Sequence, residues 1–306
     1  MSRTSATLVS WSPSIGANDV PEPDLVTPEL LRDWPLPGPD SSKKGRGRVV
    51  VIGGAARTPG GVALAGLAGL RVGAGQVQLA VASSVAPALA ATFPEAGVIG
   101  LDETATGTIR GTRAAETCAE AVASADAVLL GPGLDDADEA SDLLSGLLPH
   151  IDGTTALVLD AYALGVLPRF RTALARRSVP AVLTPNGEEL GRLLERDCEP
   201  EPSDVAEAAG RYRSCVSARA TIADPDGRVW RVPSGHPGLA TAGSGDVLAG
   251  LVTGLLARHA DPAKATCWAT YLHSMAGERL ASAVGGMGFL ARELVDQVPP
   301  VLVELS

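Results

Sequence analysis

The 306-residue sequence has few aromatic residues, few basic residues and no long hydrophobic run. Aromatic side chains fill only 3% of positions, and 35 Asp and Glu residues outnumber 25 Lys and Arg residues, so the formal net charge is -10. Such a chain lacks the basic field that holds a phosphate backbone or an anionic membrane. No segment reaches the roughly 18 uninterrupted apolar residues of a membrane-spanning helix, and the first residues lack the basic and apolar regions of a signal peptide. We therefore expect a cytoplasmic protein that binds neither nucleic acid nor membrane.

The four cysteines are too scattered to predict a shared site. Cys118, Cys198, Cys215 and Cys267 form no CxxC pair and have no histidine beside them at the spacing of a metal site. The sequence therefore predicts neither a disulfide framework nor a zinc site, and we expect reduced thiols with a structural role.

Short apolar runs alternate with helical segments from about residue 48 onward. The runs are four or five residues long and rich in Val, Leu and Ile, which is typical of buried strands followed by crossover helices. The predicted strands are 49–52, 77–81, 127–130, 156–159 and 181–183, and the predicted helices are 62–72, 84–91 and 136–148. This order predicts an α/β fold with a mostly parallel central sheet and helices on both faces.

The two ends of the chain differ from this regular part. Residues 1–24 are polar and show no hydrophobic period, so we expect a flexible N-terminal tail before a single domain of residues 25–306. Thr27 followed by proline predicts the capped start of a short first helix. From 245 to about 305 the pattern is almost entirely helical.

One segment predicts an antiparallel connection within the otherwise parallel sheet. Residues 222–224 and 228–232 are short apolar runs on either side of Pro225-Asp226-Gly227. A short Pro-Asp-Gly connection between two such runs predicts a β-hairpin. We therefore expect one edge of the sheet to be mixed.

Ligands of an open α/β sheet bind beyond the carboxyl ends of its strands, so the residues that follow each predicted strand are candidate site residues. Those residues are Gly53-Gly54, Gly131-Pro132-Gly133, Asp160 and Thr184-Pro185-Asn186. A packed core alone would not need these glycines, prolines and polar side chains. Each cluster taken alone is equally compatible with an ordinary strand-to-helix turn.

The strongest local signal is the segment 238–246, GLATAGSGD, which precedes an apolar helix. The small residues Gly243, Ser244 and Gly245 leave backbone N–H groups free at the helix N-terminus, where the dipole is positive and phosphate oxygens bind. We expect a β-carbon at Gly245 to obstruct the ligand and also to strain the local backbone. Asp246 is either a capping carboxylate or the general base for a hydroxyl that reacts near the phosphate.

Several segments together resemble the ribokinase-like superfamily, whose glycine-rich motif ending in Asp is similar to Gly243-Ser244-Gly245-Asp246. The set is more narrowly similar to the bacterial ADP-dependent NAD(P)H-hydrate dehydratases, a family also called carbohydrate kinases. The order and spacing of many short pieces make the resemblance specific over about residues 45–296. The other pieces are 47–54, 59–75, 93–95, 130–134, 158–161, 183–185 and 235–250.

This resemblance implies a ribokinase-like fold and a repair reaction. Enzymes of the family dehydrate NADH and NADPH that have been hydrated at the nicotinamide ring, and a nucleotide phosphoryl group activates the ring hydroxyl. By resemblance, Asp246 would contact the hydrated cofactor and deprotonate that hydroxyl, while Gly243, Ser244 and Gly245 would hold the phosphoryl group. The implied cofactors are ADP, or else ATP, together with Mg²⁺.

The remaining residues of the resemblance include several departures from the family pattern. Gly61, Gly133 and Asn186 fall where the family contacts the hydrated cofactor. The family usually has Ala at the position of Gly61, His at the position of Asn186, and a second Asp at the position of Tyr162. A Lys-Gly pair that contacts the nucleotide in the family is also missing. The nearest cation in the sequence is Arg219, and a guanidinium is not equivalent to the ammonium group of Lys. The choice between ADP and ATP therefore stays open.

Four further polar residues have alternative interpretations. Glu188 and Glu189 are either carboxylates that organise Mg²⁺ or favourable charges in the first turn of a helix. His273 is expected on a packed helix with a structural or positioning role, and His236 is expected to shape the loop before Pro237.

Two other functions stay open beside the repair reaction. A small-molecule kinase would phosphorylate a hydroxyl without eliminating it, and it would use the same Asp246 and anion site. A nucleotide-binding protein with little catalysis would account for the missing Lys-Gly pair. The Ala-rich helical flanks would also permit a homo-oligomer.

Overall fold

A ten-stranded sheet runs through the residues that the computed structural model describes, which are 22–38, 42 and 45–305. The apolar runs form its central strands because β-branched and aliphatic side chains pack well on a pleated, buried surface. The strands are β1 (Asp24–Leu25), β2 (Arg48–Ile52), β3 (Gln76–Ala82), β4 (Gly97–Leu101), β5 (Ala127–Leu130), β6 (Ala156–Leu159), β7 (Val182–Leu183), β8 (Cys215–Ala218), β9 (Thr221–Ala223) and β10 (Val229–Arg231).

The strand order is β1-β10-β9-β8-β7-β6-β5-β2-β3-β4. Every neighbouring pair from β8 to β4 is parallel. Strand β9 is antiparallel to both β8 and β10, and Ile222 pairs with Trp230 in the predicted hairpin. The predictions of a mostly parallel sheet and of a mixed edge are confirmed.

Twelve α-helices of the described residues flank the sheet. Helix α1 begins as predicted, because the Thr27 hydroxyl accepts a hydrogen bond from the N–H of Leu30 at 3.3 Å. No helix in this part of the chain is both long and apolar enough to cross a membrane. The helices are α1 (Pro28–Asp33), α2 (Gly60–Arg71), α3 (Ala86–Thr92), α4 (Gly111–Ala123), α5 (Ala137–Leu147), α6 (Tyr162–Val166), α7 (Arg171–Ala175), α8 (Gly187–Leu194), α9 (Pro202–Tyr212), α10 (Ser244–Ala257), α11 (Pro262–Ala283) and α12 (Ala291–Leu305).

The sheet separates two hydrophobic cores. Val49 and Val51 point into the core shared with α2, α10, α11 and α12, whereas Val50 and Ile52 point into the core on the opposite face. Successive side chains of a strand point to opposite faces, so a strand buried on both sides is apolar throughout. This is why the central strands are continuous apolar runs.

Sequence patterns did not predict β4, β8 or α4. Strand β4 has the sequence GVIGL, in which two glycines interrupt the apolar run, and α4 is built mostly from Ala, Thr and charged residues. Small residues carry a weak hydrophobic period, and for that reason these elements left no clear signal.

The first residues of the described part belong to the sheet. Strand β1 pairs in parallel with β10, with Asp24 opposite Trp230. The predicted flexible tail falls on residues 1–24, of which 1–21 lie outside the described residues, and the single-domain assignment stays a prediction.

Helix α10 packs closely on α2 through glycines. A β-carbon at Gly254 would lie 2.7 Å from the carbonyl oxygen of Gly69, and one at Gly250 would overlap the carbonyl oxygen of Ala65. The lack of side chains at these positions allows the two backbones to approach. The helix pair brings the N-termini of α2 and α10 to the same edge of the sheet.

Candidate active site

The clusters predicted after four strands lie side by side. Strands β7, β6, β5 and β2 are consecutive parallel neighbours, so their carboxyl ends share one edge of the sheet. From β2 the chain continues to β3 on one side, whereas β5 is followed by β6 on the other. The boundary between β2 and β5 is thus a topological switch point, where open α/β sheets leave a crevice for ligands.

The two loops at this switch point are joined by their backbones. The N–H of Gly54 donates to Pro132 O at 2.8 Å, and the N–H of Ala55 donates to Gly133 O at 2.8 Å. The Thr58 hydroxyl also donates to Gly133 O, at 2.9 Å. Gly133 has φ +68, and a β-carbon there would overlap Thr58 O. Gly133 is therefore required for the close approach of the loops.

The N-terminus of α10 presents unused backbone donors. Gly243 is the N-cap, with φ 89, and the N–H of Ser244 donates to Thr241 O at 3.1 Å. Within the described part of the chain, nothing accepts a hydrogen bond from the N–H groups of Gly245 and Asp246. These free donors and the helix dipole form an anion site.

Gly245 differs from the expectation in one respect. Its φ is not positive, and a β-carbon added there would meet open space. The expected backbone strain at Gly245 is therefore wrong, because the left-handed conformation is carried by Gly243 instead. The open space in front of Gly245 is room that a ligand could fill.

The half-buried carboxylate of Asp246 lies against the N-terminus of α2. A β-carbon at Gly61 would be 2.8 and 2.9 Å from its two oxygens, so Gly61 leaves the room that the carboxylate occupies. No side chain caps α10, and hence Asp246 does not act as its cap. Burial raises the pKa of Asp246 to about 6, and the nearby charge of Glu189 adds to the rise.

Asp160 and Glu189 complete a group of carboxylates with Asp246. Asp160 is buried, and the hydroxyl of Thr184 donates to its Oδ1 at 2.9 Å. Burial, followed by the charges of Asp246 and Glu189, raises the pKa of Asp160 to about 7. No salt bridge among the described residues includes any of the three. The edge of the sheet thus holds negative charge without a fixed counter-ion.

Asn186 begins α8 in a capping box with Glu189. Its Oδ1 accepts from the N–H of Glu189 at 2.9 Å, and Glu189 Oε2 accepts from the N–H of Asn186 at 2.8 Å. Glu188 is exposed and pairs with Arg192 at 3.4 Å. Of the two interpretations of the glutamates, these contacts match charges in the first turn of a helix.

Two histidines hold the glycine-rich segment. His273 Nε2 on α11 lies 2.8 Å from the hydroxyl oxygen of Ser244 and 3.1 Å from its carbonyl oxygen. Burial lowers the pKa of His273 to about 4, so the imidazole is neutral near pH 7. His236 Nδ1 accepts from the N–H of Gly238 at 3.1 Å. Both contacts are structural or positioning, as the sequence predicts.

Two features near the site were not visible in the sequence. Ala161, which follows Asp160, has φ 49 and ψ -126, a conformation usually reserved for glycine. Arg219 lies at positive φ in the turn between β8 and β9, where it pairs with Glu199 at 3.2 Å. An alanine or an arginine in a sequence does not predict positive φ, whereas a glycine at either position would have indicated it.

The sheet order, the switch point and the open N-terminus of α10 define a ribokinase-like protein. A ribokinase-like superfamily protein of Enterococcus faecalis has a TM-score of 0.76 and 25% sequence identity, with 92% of this chain and 96% of that chain covered. The family model described as NAD(P)H-hydrate dehydratase matches residues 49–300, and the chain belongs to that family.

Similar proteins include both single and bifunctional enzymes. The ADP-dependent (S)-NAD(P)H-hydrate dehydratase of Xanthomonas campestris is 44% identical over 293 residues, which are 93% of this chain and 98% of that protein. A bifunctional NAD(P)H-hydrate repair enzyme of Moorella thermoacetica is 36% identical over 85% of this chain, which spans 50% of that protein. The Bacillus subtilis ADP/ATP-dependent NAD(P)H-hydrate dehydratase, co-crystallised with ATP and Mg²⁺, has a TM-score of 0.74 and 26% sequence identity. The match covers 92% of this chain and 99% of that chain.

Proposed function

We propose that this chain is a hydro-lyase that repairs hydrated NADH and NADPH, with ADP as the phosphoryl donor. The observation that carries the proposal is the juxtaposition of free N–H groups at the start of α10 with the Asp246 carboxylate. A phosphoryl group held by the donors would lie beside a base for the hydroxyl that attacks it. The names of the Xanthomonas and Bacillus relatives support the same reaction.

Asp246 is the proposed general base. With a pKa of about 6, its carboxyl is ionised near pH 7 and remains basic enough to accept a proton from the ring hydroxyl. The hydroxyl oxygen then bonds to the terminal phosphorus of ADP as the bond to AMP breaks. Loss of phosphate from that ring carbon, and of a proton from its neighbour, restores the double bond of the reduced nicotinamide.

The anion site is the proposed stabiliser of the transferring phosphoryl group. The N–H groups of Gly245 and Asp246 point from a fixed helix end, so they need no rearrangement as charge develops on the phosphoryl oxygens. Ser244 is fixed from behind by His273, at 2.8 Å. His273 would thereby position the turn without touching the ligand.

The substrate side is proposed to include Gly61, Gly133 and Asn186. Gly61 borders the Asp246 carboxylate, and Gly133 belongs to the paired loops of the switch point. Asn186 is exposed, and because its oxygen caps α8, its amide NH₂ group remains available to a ligand. These assignments rest on the crevice between β2 and β5 being the binding site.

Mg²⁺ would be bound together with the nucleotide. Among the described residues, no group of three or more His, Cys, Asp or Glu side chains could hold a metal ion by itself. Asp160, which lies near Asp246 without a salt bridge, is a carboxylate of the kind that Mg²⁺ shares with nucleotide phosphates. Asp160 would serve as the protein ligand, and the cation would supply neutralisation of the phosphoryl oxygens.

The test follows the absorbance of the reduced nicotinamide ring. Hydrated NADH is incubated with the protein and either ADP or ATP, and we expect the absorbance to return fastest with ADP. Thermal melts run alongside, because a ligand at a hundred times its Kd stabilises the fold by about 2.7 kcal/mol.

The outcomes separate the three functions. A melt shift without return of absorbance would contradict the repair reaction, and a panel of alcohol substrates would then detect a kinase. No melt shift with either nucleotide would contradict phosphoryl transfer altogether. Cytoplasmic location and a homo-oligomer stay predictions, and gradient fractionation and light scattering would test them.

A further inference from the structure

The turn between β6 and α6 has an unusual backbone for its sequence. The N–H of Ala163 donates to Asp160 O at 3.1 Å, which closes a four-residue turn. Ala161, at φ 49 and ψ -126, has the dihedrals of the first central residue of a type II′ turn. Glycine dominates that position, so an alanine there keeps a strained conformation, and such strain is found at functional sites.

Tyr162 follows this strained residue and projects from the protein. Its relative exposure is 46%, and in the described part of the chain no other aromatic residue is classed as exposed. No hydrogen bond or ring contact in that part includes its side chain. At 46% exposure one part of the ring packs on the protein while the other part faces solvent, where it is free to contact a ligand.

The position of Tyr162 is close to the carboxylates of the candidate active site. Consecutive Cα atoms are 3.8 Å apart, so the Tyr162 Cα lies within about 8 Å of that of Asp160. Asp160 in turn interacts electrostatically with Asp246. Gly131 also needs to lack a side chain because Asp160 O occupies that space. The turn therefore abuts the loop at the switch point.

We propose that Tyr162 is a stacking platform for the adenine ring of a bound ligand. The inference rests on the proposed function, because both ADP and the hydrated dinucleotide carry adenine. The hydrated nicotinamide ring has lost its planarity, which leaves adenine as the planar ring available to stack. Tyrosine stacks on any base through its π-face without needing a hydrogen bond.

Isothermal titration calorimetry tests this contact without any turnover. Wild type, Tyr162→Phe and Tyr162→Ala are each titrated with ADP, with NADPH, and with inorganic pyrophosphate, which has no ring to stack. We expect Tyr162→Ala to raise the Kd for one or both adenine ligands about 5-fold to 100-fold, while Tyr162→Phe stays within about twofold. Inorganic pyrophosphate should bind all three proteins equally.

The pattern across ligands identifies the source of the adenine. A change with ADP alone assigns the ring to the phosphoryl donor, and a change with NADPH alone assigns it to the dinucleotide. Leu25→Ala, on β1 at the far end of the sheet, is a matched control that removes an exposed side chain elsewhere. Its affinities should equal those of wild type.

Two results would overturn the proposal. One is a folded Tyr162→Ala protein, with an unchanged melting temperature, that binds both adenine ligands as wild type does. The other is Tyr162→Phe losing as much affinity as Tyr162→Ala, since that would assign the effect to the hydroxyl. If the affinities change as expected but hydrated NADH is not repaired, the stacking contact stands and only the proposed reaction fails.

Discussion

Two turns at the same edge of the sheet reach positive φ by different means. Before α10 the residue with positive φ is Gly243, at φ 89 and ψ -5, whereas before α6 it is Ala161, at φ 49 and ψ -126. Glycine adopts this conformation without a steric penalty, but alanine does not. The comparison shows that a turn with glycine at the positive-φ position can be predicted from the sequence, whereas a turn with alanine at such a position is detected only in the structure.

The glycine-rich turn itself contains two different kinds of glycine. A β-carbon at Gly243 would lie 2.5 Å from Leu64 and 3.3 Å from Ala291, whereas one at Gly245 would meet nothing within 4 Å. Gly243 is therefore required for the packing of the fold, and we infer that Gly245 leaves space for the ligand. The predictions below test this division, and then the difference between the two turns.

The largest effect is expected from Asp246→Asn, which removes the proposed base at the glycine-rich turn. Turnover should fall at least about a hundredfold, the usual scale for loss of a positioned acid or base. Nucleotide affinity should stay within a few fold, because the backbone donors are unchanged. Steady-state rates and ADP titrations on the same sample measure both, and turnover near wild type would exclude a catalytic role.

Gly245→Val should abolish measurable ADP binding in a folded protein. The side chain would project into the open space before the anion site without disturbing its neighbours. Gly243→Ala is the paired variant, and it should instead lose about 2 kcal/mol of stability through positive φ and overlap with Leu64. For a chain of this size that lowers the Tm by about 3 °C.

Calorimetry with ADP and thermal melts on both variants test whether Gly243 and Gly245 have these different roles. The division between the two glycines fails if Gly245→Val binds ADP normally. It also fails if Gly243→Ala has the same Tm as wild type.

The glycine-rich turn was predictable because its chemistry depends on backbone and on short-range spacing. The same holds for Gly53-Gly54 and Gly133, since parallel strands bring their carboxyl ends together whatever the details of packing. Side-chain contacts across the sequence were not predictable. The link between Ser244 and His273 spans 29 residues, and the influence of Glu189 on Asp246 spans 57, so only the packing of α8, α10 and α11 creates them.

A smaller effect is expected on the pH dependence. Because Asp246 must be ionised to act as a base, kcat/KM should decline tenfold per pH unit below about pH 6. Burial is the larger cause of the raised pKa of Asp246, and the charge of Glu189 adds to it. Glu189→Gln keeps the capping box but removes that charge, so the acid limb should move to lower pH.

Glu188→Gln is the matched control for this shift. Glu188 is the adjacent glutamate, it is exposed, and it is not among the causes of the raised pKa of Asp246. Its pH profile should coincide with that of wild type. An acid limb that stays in place in Glu189→Gln would show that burial alone sets the pKa.

The smallest effect is expected at the other turn, where Ala161→Gly supplies the residue that the backbone conformation favours. Relief of strain at such a residue is worth about 1–3 kcal/mol, while the added freedom of glycine in the unfolded chain costs about 0.4–1 kcal/mol. The relief is larger, so we expect a net gain of about 1 kcal/mol and a rise in Tm of about 2 °C. Thermal melts and urea titrations would measure it, and Ala163→Gly, within α6 and not at positive φ, should destabilise the protein instead. If Ala161→Gly also lowers the Tm, the turn is not strained, and the contrast with Gly243 disappears.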